Sequence, residues 1–141
     1  MLKEHKEEKS IIFDLDKTLC SKKKLNESYM DVKPIKPMIN LLNKLHDEGY
    51  FIIIESARNM VTQCNDEGRV IQNIGEDTLR WLRENNVKYD SIKFGKSYGI
   101  MYVDDKAIRP SELYKYNIDG IKKIIEEEDK FIKKMIEGEI N

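Results

Sequence analysis

The first clear hydrophobic signal in the chain is Ser10-Ile11-Ile12-Phe13, a short β-favouring run that stops at Asp14-Leu15-Asp16. An apolar run bounded in this way predicts a buried strand with its acids at the end. A polar stretch from Cys20 to Lys33 follows, and then Ile35, Met38, Ile39, Leu42 and Leu45 recur at helical spacing. Pro37 near the start of that helix and Gly49 just past its end give it the usual asymmetry of helix termini. Tyr50-Phe51-Ile52-Ile53-Ile54 predicts a second buried strand, ending at Glu55-Ser56-Ala57-Arg58. Residues 59–74 are polar and read as a long connection, a kind that is usually functional or mobile. The next helix is expected to begin near Glu76 or Asp77 and to carry Leu79, Trp81 and Leu82. Weaker strands are expected at Ser91–Phe94 and Gly99–Val103, the second ending at Asp104-Asp105. The final helix, over 118–137, carries a stripe of Ile118, Ile121, Ile125, Ile132 and Met135. That stripe also fits a heptad seam with Glu128 in one inward slot, which keeps assembly into a homo-oligomer open.

Strands alternating with helices, the strands apolar throughout, predict an α/β fold with a parallel sheet covered on both faces. Sheets of this kind take ligands at the carboxyl ends of their strands. Composition narrows the picture without changing it. The 141 residues suit one domain, and no repeat or internal linker divides them. With 25 Lys+Arg against 26 Asp+Glu the net charge is -1, which argues against a strongly basic nucleic-acid binder. No apolar run is long enough to span a membrane, and the charged start from Met1 to Lys6 lacks the apolar stretch of a signal peptide. Cys20 and Cys64 form neither a disulfide framework nor a zinc pattern, so a cytoplasmic location is expected.

Four polar clusters follow strands. Asp14 and Asp16 have the two-residue spacing that turns side chains the same way from an extended segment. Two carboxylates so placed repel, and need a cation or hydrogen-bond donors; Mg²⁺ suits them because it takes carboxylate oxygens and keeps sites for water and phosphate. Two exposed acids in a turn would give the same letters. Ser56 and Arg58 can donate to a phosphoryl group, although a turn residue and a surface charge would read alike. Gly95-Lys96 follows the third strand, with Gly95 allowing close backbone approach. Asp104 and Asp105 again put acids at an expected strand end, where a metal is the economical explanation. Cys20, beside the acidic motif, is a candidate for oxidation.

In this order the signals resemble the haloacid dehalogenase superfamily, and Phe13-Asp14-Leu15-Asp16-Lys17-Thr18-Leu19 is similar to its first motif. More narrowly, Ala57-Arg58-Asn59-Met60, Trp81-Leu82, Gly95-Lys96 and the segment from Tyr102 to Pro110 resemble small phosphatases of that superfamily associated with capsular polysaccharide biosynthesis. The likeness spans roughly residues 10–113. Ser56 stands where relatives often have Thr, and Ser97-Tyr98 where they tend to have Pro-Trp.

The resemblance implies a three-layer Rossmann-like core and a cytoplasmic Mg²⁺-dependent hydrolase of phosphomonoesters, with a small sugar phosphate as substrate. It implies Asp14 as nucleophile, Asp16 as general acid and base, and Ser56 and Lys96 as holders of the phosphoryl oxygens. It further implies Arg58, Lys96 and Arg109 at the substrate, and around the metal Asp14, the backbone carbonyl of Asp16, and Asp105 as direct ligand with Asp104 supporting it. Only 37 residues separate Thr18 from Ser56, and 39 separate Ser56 from Lys96. Neither interval has room for a cap domain beside its helix, so the stretches 19–34 and 59–74 are the expected lids. Two other readings fit an open site: a phosphatase of nucleic-acid 3′ ends, and a non-catalytic binding module.

Overall fold

Strands β1 (Ser10–Phe13), β2 (Phe51–Ser56) and β3 (Ser91–Phe94) form one parallel sheet in the order β1-β2-β3 in the computed structural model, which describes residues 6–140. The charged start at Met1–His5 lies outside the described residues. Ile12 pairs with Ile53 in the register of β1 and β2, and Ser56 with Phe94 in that of β2 and β3. The fold is therefore the expected parallel α/β type with no cap domain. Parallel strands need crossovers, and helices α1 (Lys36–Asp47) and α2 (Glu67–Glu84) supply them, packing on β2 and β3. Central β2 buries Ile52, Ile53 and Ile54 together, which explains its continuous apolar run. Edge strand β1 leaves Ile12 56% exposed.

The described chain divides into two compact units between Tyr98 and Gly99. In the second, α3 (Pro110–Lys115) packs on α4 (Ile118–Ile136), and Asn117 caps α4 by accepting from the Gly120 N–H at 2.8 Å. Ile121 is the buried member of the α4 stripe, while Met135 is 45% exposed. Among the described residues no helix is long and apolar enough to cross a membrane.

Two expectations are corrected. Helix α2 begins at Glu67, not near Glu76, because Asp66 caps it: its side chain accepts from the Arg69 N–H at 3.1 Å. The stretch that read as loop is half helix, with Val70 and Ile74 buried on the same face as Thr78, Trp81 and Leu82. The expected lid at 59–74 thus shrinks to the turns between Ala57 and Asp66. The second correction concerns Gly99–Val103, which forms no strand; Ile100 and Val103 are 96% and 91% exposed. β-favouring residues make a strand only when a neighbour accepts their hydrogen bonds and packs their faces, and neither condition is met here.

The stretch after β1 is held rather than loose. The Thr18, Leu19 and Cys20 N–H groups all converge on the Leu15 carbonyl, with Lys17 in the left-handed region at φ 65°. Ser21 N–H to Lys33 C=O at 2.8 Å and Ile35 N–H to Leu19 C=O at 2.9 Å close its base. From α2, the buried Trp81 indole donates to the Val32 carbonyl at 2.9 Å. Trp81→Phe should therefore cost roughly 1–3 kcal/mol, the range for orphaning a buried acceptor, in urea unfolding. The same variant should be cut faster by protease between residues 21 and 34, and unchanged stability would show that this anchor carries nothing.

Candidate active site

Parallel strands bring their carboxyl ends to one edge, and the chain puts a polar residue at each. Asp14 directly follows β1, Ser56 is the last residue of β2, and Lys96 lies two residues beyond β3. Gly95 makes the last placement feasible: its φ is +91°, and a Cβ there would lie 2.6 Å from the Glu67 side chain. The Lys96 N–H then donates to the Ser56 carbonyl at 3.1 Å, tying the third strand end to the second. From there the Lys96 ammonium reaches back to within 3.6 Å of Asp14 Oδ1, the first strand end. Asp14, Ser56 and Lys96 are thus assembled by the sheet itself.

Burial dominates the electrostatics of Asp14 and raises its pKa above the ordinary 3.8. Lys96 and the Leu15 N–H, which donates to this carboxylate, oppose that rise, and neighbouring Asp16 adds to it. The Ser56 hydroxyl accepts from the Arg58 N–H at 3.0 Å and is 1% exposed, so it forms part of the site's floor.

Arg58 was expected at the substrate. In the structure its side chain is 0% exposed and faces Asp16, with Nη2 2.8 Å from Oδ1 and Nε 3.2 Å from Oδ2. Its Nη1 donates to Thr78 Oγ1 at 3.1 Å, and the Tyr29 ring stacks on the guanidinium at 4.2 Å. Cys20 Sγ lies 3.5 Å from both Arg58 Nη2 and Asp16 Oδ1. Tyr29 and Thr78 drew no attention in the sequence. Thr78 had a signal, its place among the buried α2 positions, whereas Tyr29 sits in an irregular stretch with no period to mark it.

Cys20 also requires correction. It is fully buried, and burial followed by the charge of Asp16 pushes its thiol up to about 12. Oxidation proceeds through the thiolate, so this cysteine is chemically quiet. Asp104 and Asp105 belong to the second unit and are exposed, not at the end of a buried strand. The Lys106 N–H donates to Asp104 Oδ1 at 2.9 Å; that bond, then Asp105, holds the Asp104 carboxyl below the usual range. Arg109 is exposed at the start of α3, where its N–H donates to Glu112 Oε1 at 3.0 Å.

Among the described residues no group of three or more His, Cys, Asp or Glu assembles for a metal. Mg²⁺ nonetheless characteristically binds through one or two carboxylates, completing its shell with water and phosphate oxygens. The half-buried Asp14 carboxylate and the Asp16 backbone carbonyl meet that smaller requirement, the Asp16 carboxylate being taken up by Arg58.

Together these features define a small parallel α/β domain with paired carboxylates, a hydroxyl and a lysine at the carboxyl edge of its sheet. No family model matches the chain, and neither does any curated protein. A crystal structure of a structural-genomics target from Vibrio cholerae is similar at 36% identity, covering 85% of this chain and 98% of that one, with a TM-score of 0.77. At that identity and coverage the two chains belong to one family; the likeness brings kinship and fold, and no chemistry.

A charge that the fold disfavours has a consequence for stability. Because the folded-state pKa of Asp14 is raised, its ionised form costs stability above that pKa, and the cost is relieved as pH falls toward 3.8. Without divalent cations, Asp14→Asn should accordingly raise the melting temperature at pH 7, with the advantage vanishing on acidification. A lower melting temperature at pH 7 would contradict this assignment.

Proposed function

We propose that this chain is a phosphatase that hydrolyses a phosphomonoester through an aspartyl-phosphate on Asp14. The observation that carries the reading is the Lys96 ammonium, 3.6 Å from Asp14 Oδ1 while its own backbone is tied to Ser56. A carboxylate and a phosphate repel, so a nucleophilic Asp needs positive charge beside it and donors for the transferring group. In this reading an Asp14 oxygen attacks phosphorus as the ester P–O bond breaks. Asp16 protonates the departing alkoxide, then takes a proton from the water that displaces Asp14 from phosphorus and regenerates both acids. Lys96 holds the phosphoryl oxygens, and Ser56 supports it from the floor through its carbonyl, which accepts from the Lys96 N–H. Mg²⁺, held by the Asp14 carboxylate and the Asp16 backbone carbonyl, would add charge that offsets the repulsion between nucleophile and phosphate.

The absence of a cap leaves substrate choice to the rim of the site. A small sugar phosphate of surface polysaccharide synthesis, handled in the cytoplasm, is the substrate the sequence resemblance favours, and fold alone does not decide it. The test is hydrolysis of p-nitrophenyl phosphate and a sugar-phosphate panel with Mg²⁺, beside a 3′-phosphorylated oligonucleotide. We expect sugar phosphates to lead, EDTA to abolish turnover, and Asp14→Asn to lower it by about 10³-fold or more. Wild-type rates no higher than those of Asp14→Asn would favour a binding module instead.

A further inference from the structure

Among the described residues of the first unit Arg58 is the most completely enclosed charge, and the reaction outlined above gives it no task. Its side chain is 0% exposed and makes four hydrogen-bond contacts, with the Tyr29 ring against its face at 4.2 Å. A guanidinium so enclosed does not reach out to a ligand. Two of the four contacts go to Asp16, one through Nε and one through Nη2, the planar two-point grip that arginine makes and lysine cannot.

The rest of the surroundings orients the grip. The Thr78 hydroxyl donates its single hydrogen to the Ile74 carbonyl at 2.7 Å, which turns a lone pair toward Arg58 Nη1 at 3.1 Å. That fixes one corner of the guanidinium from the frame of α2. Its backbone is fixed as well, since the Arg58 N–H is bound by Ser56 Oγ at 3.0 Å. On the carboxylate, Oδ1 has both Arg58 Nη2 at 2.8 Å and Cys20 Sγ at 3.5 Å beside it, whereas Oδ2 has Nε alone, at 3.2 Å. A carboxylate oxygen has two lone-pair directions. Oδ2 therefore keeps one direction that the grip does not use.

We propose that Arg58 is a positioning residue, holding the Asp16 carboxylate in one orientation by a two-point contact, with Thr78 and Tyr29 as the frame. This rests on the phosphatase reading and assigns Arg58 a role other than substrate binding. A proton-transfer group displaced by about 1 Å can lose on the order of 100-fold in rate, so the grip matters even though it touches no substrate.

The experiment compares wild type, Arg58→Lys, Arg58→Met, Thr78→Val and Asp16→Asn on an alkyl phosphate and on p-nitrophenyl phosphate, with melting temperatures measured alongside. An aryl leaving group needs little protonation, so loss of a well-placed acid falls mainly on the alkyl substrate. Asp16→Asn sets the reference pattern. Arg58→Lys and Arg58→Met should reproduce it, kcat on the alkyl phosphate dropping roughly 10- to 100-fold further than on the aryl phosphate with KM little changed. Thr78→Val should show the same pattern more weakly. Millimolar guanidinium added to Arg58→Gly should restore alkyl turnover selectively. A raised KM with equal losses on both substrates would make Arg58 a substrate ligand and overturn the proposal. Equal losses that track a fall in melting temperature would reduce it to a structural residue and overturn it too. An inactive wild type would instead fell the phosphatase reading itself, an outcome distinct from active wild type with non-selective Arg58 variants.

Discussion

Two carboxylates two residues apart at the edge of a sheet repel each other, and the first unit is organised around separating them. Lys96 sits 3.6 Å from Asp14 Oδ1, and Arg58 grips Asp16 from 2.8 Å. The two cations come from different strand ends, β3 and β2, so the separation depends on the parallel sheet being formed. Lys96 reaches its position only because Gly95 takes φ +91° and the Lys96 N–H is tied to Ser56. Arg58 reaches its own because α2 presents Thr78 and the stretch after β1 presents Tyr29. Fold and site are in this sense one arrangement, with strand pairing delivering the charges that the acids require.

The two pairings differ in kind, and the difference bears on function. The ion pair on Asp14 is long and half-exposed, one point charge near one oxygen, which suits a group that must release its partner to meet a phosphate. The pairing on Asp16 is bidentate, and its arginine is enclosed and braced by Thr78 and Tyr29, which suits the fixed orientation that the two proposed proton transfers would require. Burial raises the pKa of Asp14 even with Lys96 beside it, so the fold disfavours the charged form of the proposed nucleophile. Destabilising a charge that reacts is a familiar use of a binding site, and it links the stability of this domain to its proposed chemistry.

Much of this was legible in the sequence because it is local. The strand-end positions of Asp14, Ser56 and Lys96 follow from short apolar runs, and α1 from its spacing and terminal residues. What was not legible depends on partners distant along the chain. Arg58 meets Asp16 across 42 residues, and nothing near Arg58 announces that its guanidinium turns inward. The start of α2 was obscured because Glu67, Gly68, Arg69, Gln72 and Asn73 surround its few apolar residues, and the polar Thr78 takes the next buried place in the stripe of Val70 and Ile74. Gly99–Val103 failed in the opposite direction: its letters favour a strand, but strand formation is decided by a pairing neighbour and not by propensity.

The central claim is that Asp14 becomes covalently phosphorylated. It is tested most directly by quenching the enzyme during turnover, reducing it with borohydride and locating the product by mass spectrometry. An aspartyl-phosphate is reduced where a free carboxylate is not, so the account predicts homoserine at position 14, absent without substrate and absent in Asp14→Asn. An unmodified Asp14 in an enzyme that is turning over substrate and trapped under these conditions would contradict it.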